Sequence, residues 1–381
     1  MKVLHFTTHN EPCGIGKYQE GFVTAMDGRP DVENRVFDVS PNVIRGLGEA
    51  EYNGVMSRLL AEIADVDILH IQHEWGFFSR DELARAIDGA HKLGKKVIVT
   101  VHTAPGAVDL GIRRRQGLGP RAFLEYARAL KSNAFIQRNR IDPLLRADQI
   151  IVHNAVARDG LVGLGVPAER ITRITLPLQE LNSVTPARVI RTALDAVDGD
   201  VIMCTVGFIH RLKGIDAAIK ALPYLPDNYK LAIIGGTNPA SPDADALDHY
   251  ADLIRDLGLM DRVYITGYID SDDELNSLVR ECNIAVFPYN NQYYSQVSSA
   301  ALNVALANGM TTVAYPIATF TELNAVAGCL ELTSSFNYYE LARTVKAASP
   351  EWPNQRALQY AATYSYANVG EAVLSIYAAS A

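Results

Sequence analysis

The sequence predicts an α/β protein made of two Rossmann-like domains with mainly parallel sheets. Three observations carry this. Short, continuous apolar runs alternate with longer amphipathic stretches almost from end to end. The alternation breaks over residues 180–199 and then restarts. The length of 381 residues also exceeds what one hydrophobic core usually supports.

In chain order, KVLHFT (2–7), DILHIQ (67–72), KVIVTV (96–101) and DQIIVHN (148–154) read as parallel strands covered on both faces, because they are continuous rather than alternating. Helical patterns fill the gaps at 15–26, 81–93, 121–140 and 154–163. The segment ELNSVTPARVIRTALDAVDG (180–199), with Pro186 and Gly199, has the composition of a linker, and the boundary is expected near 185–198. DVIMCTVG, YKLAIIGG, RVYITGY, NIAVFPY and TTVAYP then repeat the strand grammar, with helical segments such as KGIDAAIKAL between them. Two such domains facing each other would make a cleft lined by the carboxyl ends of both sheets, where ligands of parallel sheets bind.

Composition narrows the class. With 48% hydrophobic and 20% charged residues the chain is globular rather than disordered. No apolar run approaches a membrane span, and MKVLHFTTHNEP lacks the basic and apolar regions of a signal peptide, so a cytoplasmic location is expected. Cys13, Cys204, Cys282 and Cys329 are scattered, and no HExxH-like spacing exists, so free thiols and no bound metal are expected. The net charge of −8 argues against general attraction to nucleic acid or anionic membrane. One segment departs from it: residues 109–146 hold nine Arg and Lys, Arg113, Arg114 and Arg115 among them, against Asp109, Glu125 and Asp142. Its helix 121–140 would place Phe123, Ala127, Leu130 and Ala134 on one apolar face, with Arg121, Arg128, Lys131 and Arg138 elsewhere. The segment is either a solvated surface or the contact for an anionic acceptor.

Several turns carry candidate chemistry. Cys13-Gly14-Ile15-Gly16 follows the first strand and opens a helix, so backbone N–H groups there can approach a ligand closely. Alternatively it is a tight turn without a ligand. Arg211 and Lys213, in VGFIHRLKG after the first strand of the second domain, could neutralise a diphosphate leaving group. After Phe287-Pro288-Tyr289 and a polar loop, Gln296-Val297-Ser298-Ser299 opens a helix whose N-cap is Ser298 or Ser299. Among the histidines, His70 reads as core, His73 with Glu74 as either cleft lining or a structural pair, and His102 as the functional candidate.

Taken in order, Lys213-Gly214 after a strand, ITGYIDSDDEL around Tyr268, the FPY strand end and ALANGMTTVAYP resemble family 4 glycosyltransferases of the GT-B fold. HIQHEWGFF (70–78), VTVHTAP (99–105), ADQIIVHNAVARDGL (147–161) and GVPAERITRITLP (165–177) are similar to that family's N-terminal domain. The resemblance implies an acceptor domain over 1–190, a donor domain over 191–360, and a C-terminal helix, 361–381, packing back on the first. It implies that Lys213 contacts the donor diphosphate, His102 lies by the transferred sugar, and Gly14 and Gly16 approach the reaction centre. Gly267 and Tyr268 would hold the nucleobase, and Val297, Ser298 and Ser299 the phosphates. His73, Glu74 and Arg113–Arg115 are the acceptor-side candidates. The implied reaction is metal-independent, retaining transfer of a hexose from a UDP-glucose-like or GDP-mannose-like donor to an unidentified glycan, lipid or modified nucleic acid. An epimerase or hydrolase, or a catalytically weak sugar-nucleotide-binding protein, are the alternatives.

Three positions depart from the family pattern. Gln296 replaces the first acid of the Glu-x7-Glu motif, Val304 the second, and Phe208 the usual arginine. A subgroup with a Gln-x-Ser-Ser turn and a segment like Gln72-His73-Glu74 makes Gln296 a variant. Arg211 is the expected substitute for the missing arginine, and Asn303 the expected substitute at the ribose.

Overall fold

The computed structural model describes all residues except 10–12, 41–43, 45, 75–77, 79–80, 105–123, 125–126, 129, 133, 136, 182, 238–243, 290–296, 349, 351 and 381. The chain forms two compact units, Met1–Thr175 with Gly370–Ala381, and Leu176–Val369.

In the first unit, β1 (Lys2–Thr7), β2 (Glu33–Asp38), β3 (Ile68–His73), β4 (Lys96–Val101), β5 (Gln149–Val152) and β6 (Ile171–Arg173) form one parallel sheet in the order β2-β1-β3-β4-β5-β6. β3 is buried at every position and β1 and β4 at all but the first, which accounts for their unbroken apolar sequences. The two outer strands escape a reading by apolar runs: β2 is ENRVFD, with a single fully buried residue, and β6 has three residues. Helices Gly14–Met26, Glu49–Ala64, Glu82–Lys92 and Ala155–Gly163 complete the strand–helix alternation. Asn154 starts the last of these by accepting from the Ala157 N–H at 2.7 Å, a cap of about 1 kcal/mol.

In the second unit, β7 (Val201–Val206), β8 (Tyr229–Ile234), β9 (Val263–Ile265), β10 (Ile284–Phe287), β11 (Thr311–Ala314) and β12 (Leu330–Leu332) form a parallel sheet in the order β12-β11-β10-β7-β8-β9. Ile202, Cys204 and Val206 enter the core on one face, and Met203 enters the core on the other, as period-two side chains must. Strand order reverses between β7 and β10, so the crevice at their carboxyl ends is where such a sheet takes a ligand.

The division falls at Thr175/Leu176 rather than near 190. The expected linker is bound into the second unit. Leu178 is buried and its N–H reaches the Tyr364 carbonyl at 2.9 Å. The Asn303 amide holds the carbonyls of Leu176 and Pro177 at 3.1 and 3.2 Å. The buried Glu281 carboxylate then accepts from the Val189 and Arg191 N–H groups at 2.8 and 2.9 Å, starting a short helix, Val189–Ala193, inside the segment read as linker. The final helix, Tyr366–Ser380, crosses the second division at Val369/Gly370, later than residue 361. Its end belongs to the first unit, where Val373 and Tyr377 are fully buried.

Candidate active site

The carboxyl ends of β7, β8 and β9 meet in glycine turns. Gly235 has φ +141°, and a Cβ there would lie 2.3 Å from the Gly207 carbonyl oxygen; one on Gly236 would lie 2.5 Å from the Tyr268 nitrogen. Glycine is thus required by backbone contact, and the turn after β8 packs directly against the turns after β7 and β9. Phe208 and Tyr268 come out parallel, 2° apart with ring centroids at 6.0 Å. The Tyr268 hydroxyl donates to Asp270 at 3.0 Å, and the ring is 38% exposed. Gly267, at φ +83°, pairs with Gly235 in an isolated bridge.

Lys213 closes a single 3₁₀ turn, Arg211–Lys213, which the His210 ring caps by accepting from the Leu212 N–H at 3.3 Å. Its Nζ lies 3.0 Å from the position a Gly207 Cβ would take, and Ala301 Cβ lies 3.3 Å from the same point. The ammonium therefore sits beside the first turn of helix Ala300–Ala307, in the crevice between β7 and β10. Among the described residues no carboxylate pairs with it, and desolvation pulls its pKa from 10.5 to about 8. An uncompensated, partly desolvated cation next to a helix N-terminus is a site for an anion. Gly214, at φ +69°, holds the turn against β10, since a Cβ there would lie 1.8 Å from the Pro288 carbonyl.

Ser299 is the N-cap of that helix, accepting from the Leu302 N–H at 3.1 Å and sharing a 3.0 Å hydrogen bond with the Tyr289 hydroxyl. Val297 and Ser298 lie immediately before it, while Gln296 is outside the described residues. Arg211 is exposed, so its side chain is not held in the crevice as Lys213 is. Asn303, the expected ribose contact, is 9% exposed, and its amide N–H groups are taken by the carbonyls of Leu176 and Pro177.

In the first unit, His102 follows β4 and stands in a chain of side chains. Its Nε2 lies 3.0 Å from Gln72 Oε1, and its Nδ1 lies 3.1 Å from His153 Nε2. His153 Nδ1 lies 3.0 Å from the Ile174 carbonyl oxygen. Tyr18 meets His102 and His153 edge-on, with ring centroids at 4.9 and 5.5 Å. Burial, followed by the neighbouring His153, His70 and His73, holds His102 well below the usual imidazole pKa. Burial takes His153 to about 4. Both rings are therefore neutral at physiological pH. His70, read as core, is fully buried between the Tyr377 hydroxyl at 2.5 Å and the Thr100 hydroxyl at 2.8 Å.

The remaining candidates divide. Gly14 is exposed at the start of helix Gly14–Met26, and Gly16 donates its N–H to the capping Cys13 Sγ at 3.2 Å. Glu74 is partly exposed and accepts from the Thr103 hydroxyl at 2.7 Å. His73 is fully buried with its ring edge-on to Phe78 at 4.9 Å, so it belongs to the interior rather than to an acceptor surface. Arg113, Arg114 and Arg115 lie outside the described residues. The proposed apolar face of 121–140 is not buried where it is described: Ala127, Leu130 and Ala134 are exposed. Neither Gln72 nor His153 was assigned a role from sequence, although each sits at or next to a strand's carboxyl end, as His102 does.

The chain is similar to known proteins over most of its length. Residues 187–363 match the family model described as glycosyl transferases group 1, and residues 21–177 match glycosyltransferase family 4. The D-inositol 3-phosphate glycosyltransferase of Mycolicibacterium gilvum is 28% identical over 239 residues, 61% of this chain and 52% of that protein. The chain thus matches about half the length of that relative. Among solved structures, Anabaena Alr3699/HepE in complex with UDP superposes with a TM-score of 0.71 at 14% identity over all of both chains. Sucrose-phosphate synthase from Thermosynechococcus elongatus superposes at 0.66 and 16% identity, over 99% of this chain and 98% of that one. The fold is that of the GT-B glycosyltransferases.

Proposed function

Taking the chain as a family 4 glycosyltransferase, which both matched family models and the curated relative support, we propose that it moves a hexose, with retention, from a UDP-glucose-like donor to an anionic acceptor. The observation that carries this is the Lys213 ammonium, with no carboxylate partner among the described residues, beside the first turn of helix Ala300–Ala307 at the strand-order reversal of the second unit. A nucleoside diphosphate is the ligand whose charge such a group answers.

In this reading the diphosphate lies against Lys213, the Gly207 turn and the N–H groups behind Ser299. The base lies by Gly267 and the Phe208–Tyr268 pair. As the bond to the anomeric carbon breaks, charge accumulates on the departing phosphate oxygen, where fixed positive charge lowers the barrier most. The departing diphosphate takes the acceptor's proton on the same face, and the protein mainly positions and neutralises. Lys213 and the helix N-terminus supply that positive charge without a tightly bound metal. UDP-glucose is preferred over GDP-mannose because a solved structure with this fold, Anabaena Alr3699/HepE, is in complex with UDP-glucose. An anionic acceptor fits the exposed Arg128, Lys131 and Arg138, and fits the phosphorylated inositol in the name of the curated relative.

The test is UDP release from UDP-glucose, with and without a panel of phosphorylated polyols, phospholipids and phosphorylated glycans. Acceptor-stimulated release that weakens with added salt supports the reading. Release that no acceptor stimulates would indicate a hydrolase, and donor binding without turnover a sugar-nucleotide-binding protein.

A further inference from the structure

The contacts around His102 require more protons than two neutral imidazoles carry. Three contacts run in series: Gln72 Oε1 to His102 Nε2, His102 Nδ1 to His153 Nε2, and His153 Nδ1 to the Ile174 carbonyl. Each needs one proton between its two heavy atoms. Both ends are acceptors when the Gln72 oxygen faces His102, and two neutral rings bring two protons. One contact would therefore set lone pair against lone pair at about 3 Å in a buried site, which a native structure does not keep.

The Ile174 end is fixed, because a backbone carbonyl only accepts. His153 must then carry its proton on Nδ1 and present a bare Nε2, so His102 must donate from Nδ1. That leaves His102 Nε2 bare and facing the Gln72 oxygen. The missing proton comes either from charging a ring or from turning the Gln72 amide. Charging a ring opposes the burial of both. Turning the amide exchanges two groups of nearly identical size and shape. In the orientation given, Gln72 is fully buried and its Nε2 has no partner among the described residues, so the turn gives up no existing N–H bond and creates one.

We infer that Gln72 directs its NH2 group at His102 Nε2, and that His153 and Gln72 are positioning residues that hold His102 as the Nδ1–H tautomer with the Nε2 lone pair turned toward Gln72. A ligand hydroxyl that engages His102 through a ring nitrogen must then donate to Nε2 and displace the Gln72 N–H. Built on the sugar-transfer reading, this makes His102 a selector for a donor sugar that carries a hydroxyl at the contacted position. A deoxyfluoro sugar, which accepts but does not donate, should lose about tenfold in affinity, the worth of one hydrogen bond.

The tautomer can be read without any sugar nucleotide, by nitrogen NMR of the full-length protein labelled with ¹⁵N-histidine. The expected spectrum has a protonated Nδ1 and a bare Nε2 for both His102 and His153. A His102 protonated on Nε2, or on both nitrogens at neutral pH, would overturn the inference. In His153→Leu the constraint from Ile174 is gone, the Gln72 carbonyl is free to turn back, and a population with protonated His102 Nε2 should appear. If His102 keeps the pure Nδ1–H form in that variant, His153 does not set it and the inference fails. Should His153→Leu not fold, the unmodified protein alone decides. Because these spectra need no donor, their failure leaves the sugar-transfer reading standing. Failure of any nucleotide sugar to bind would sink that reading without touching the tautomer.

Discussion

Lys213 and His102 both stand at strand ends, and burial shifts both toward their neutral forms, but with different consequences. His102 is already neutral, whereas Lys213 still carries its charge at pH 7 and loses it near pH 8. A bound diphosphate would raise the Lys213 pKa again, so donor affinity should fall as pH rises through about 8, and titration calorimetry should show proton uptake on binding there. The sign for stability is opposite. The unfolded chain keeps this proton up to its ordinary pKa of 10.5, so the group's contribution to stability rises as pH climbs from about 8 toward 10.5. Lys213→Met should accordingly raise the thermal midpoint while lowering kcat by about 10²–10³-fold, the cost of removing one charge-stabilising donor. A variant with near-normal turnover would remove Lys213 from the chemistry. At this scale the sequence was legible for placement: Lys213 does sit in a turn after the first strand of the second unit. It was not legible where the role depends on partners: Asn303 looked free for a ribose, and only the fold shows its amide on the carbonyls of Leu176 and Pro177.

Among elements, the turns after the second unit's strands do the positioning. Gly214 and Gly235 both lack room for a side chain and both hold φ values that other residues resist. Gly235→Ala must push the turn after β7 off the turn after β8, and should cost about 1–3 kcal/mol in denaturant unfolding while also disturbing the Phe208–Tyr268 pair. An unchanged midpoint would show that the turns yield. Continuous buried strands such as β3 and β4 could be read directly from their apolar runs. The edge strands β2 and β6 could not, because an edge position allows Glu33, Asn34 and Arg35 on one and only three residues on the other. The helix Val189–Ala193 was hidden in a linker-like composition, because the Glu281 carboxylate that starts it lies far away in sequence.

For the whole molecule, two parallel sheets followed from the restart of the strand grammar, but the divisions between units did not. Segment 176–190 reads as loop and is held by long-range contacts, while the last helix belongs in part to the unit where the chain began. Tyr377 ties that ending into the first unit through full burial and the His70 contact. Tyr377→Ala should cost about 3–5 kcal/mol, and hydrogen exchange should rise in the strands of Met1–Thr175 and not in those of Leu176–Val369. Uniform loosening of both units would argue against that division.

Sugar transfer rests on a nucleotide sugar binding at Lys213. The most direct measurement is the thermal midpoint of the native and Lys213→Ala proteins with a series of UDP- and GDP-linked sugars. A ligand at about 100 times its dissociation constant adds roughly 2.7 kcal/mol to the native state, which a melt resolves easily. The prediction is a clear rise with UDP-glucose in the native protein, smaller with GDP-mannose, and most of it lost in Lys213→Ala. No rise with any nucleotide sugar, or an equal rise in the variant, would contradict it.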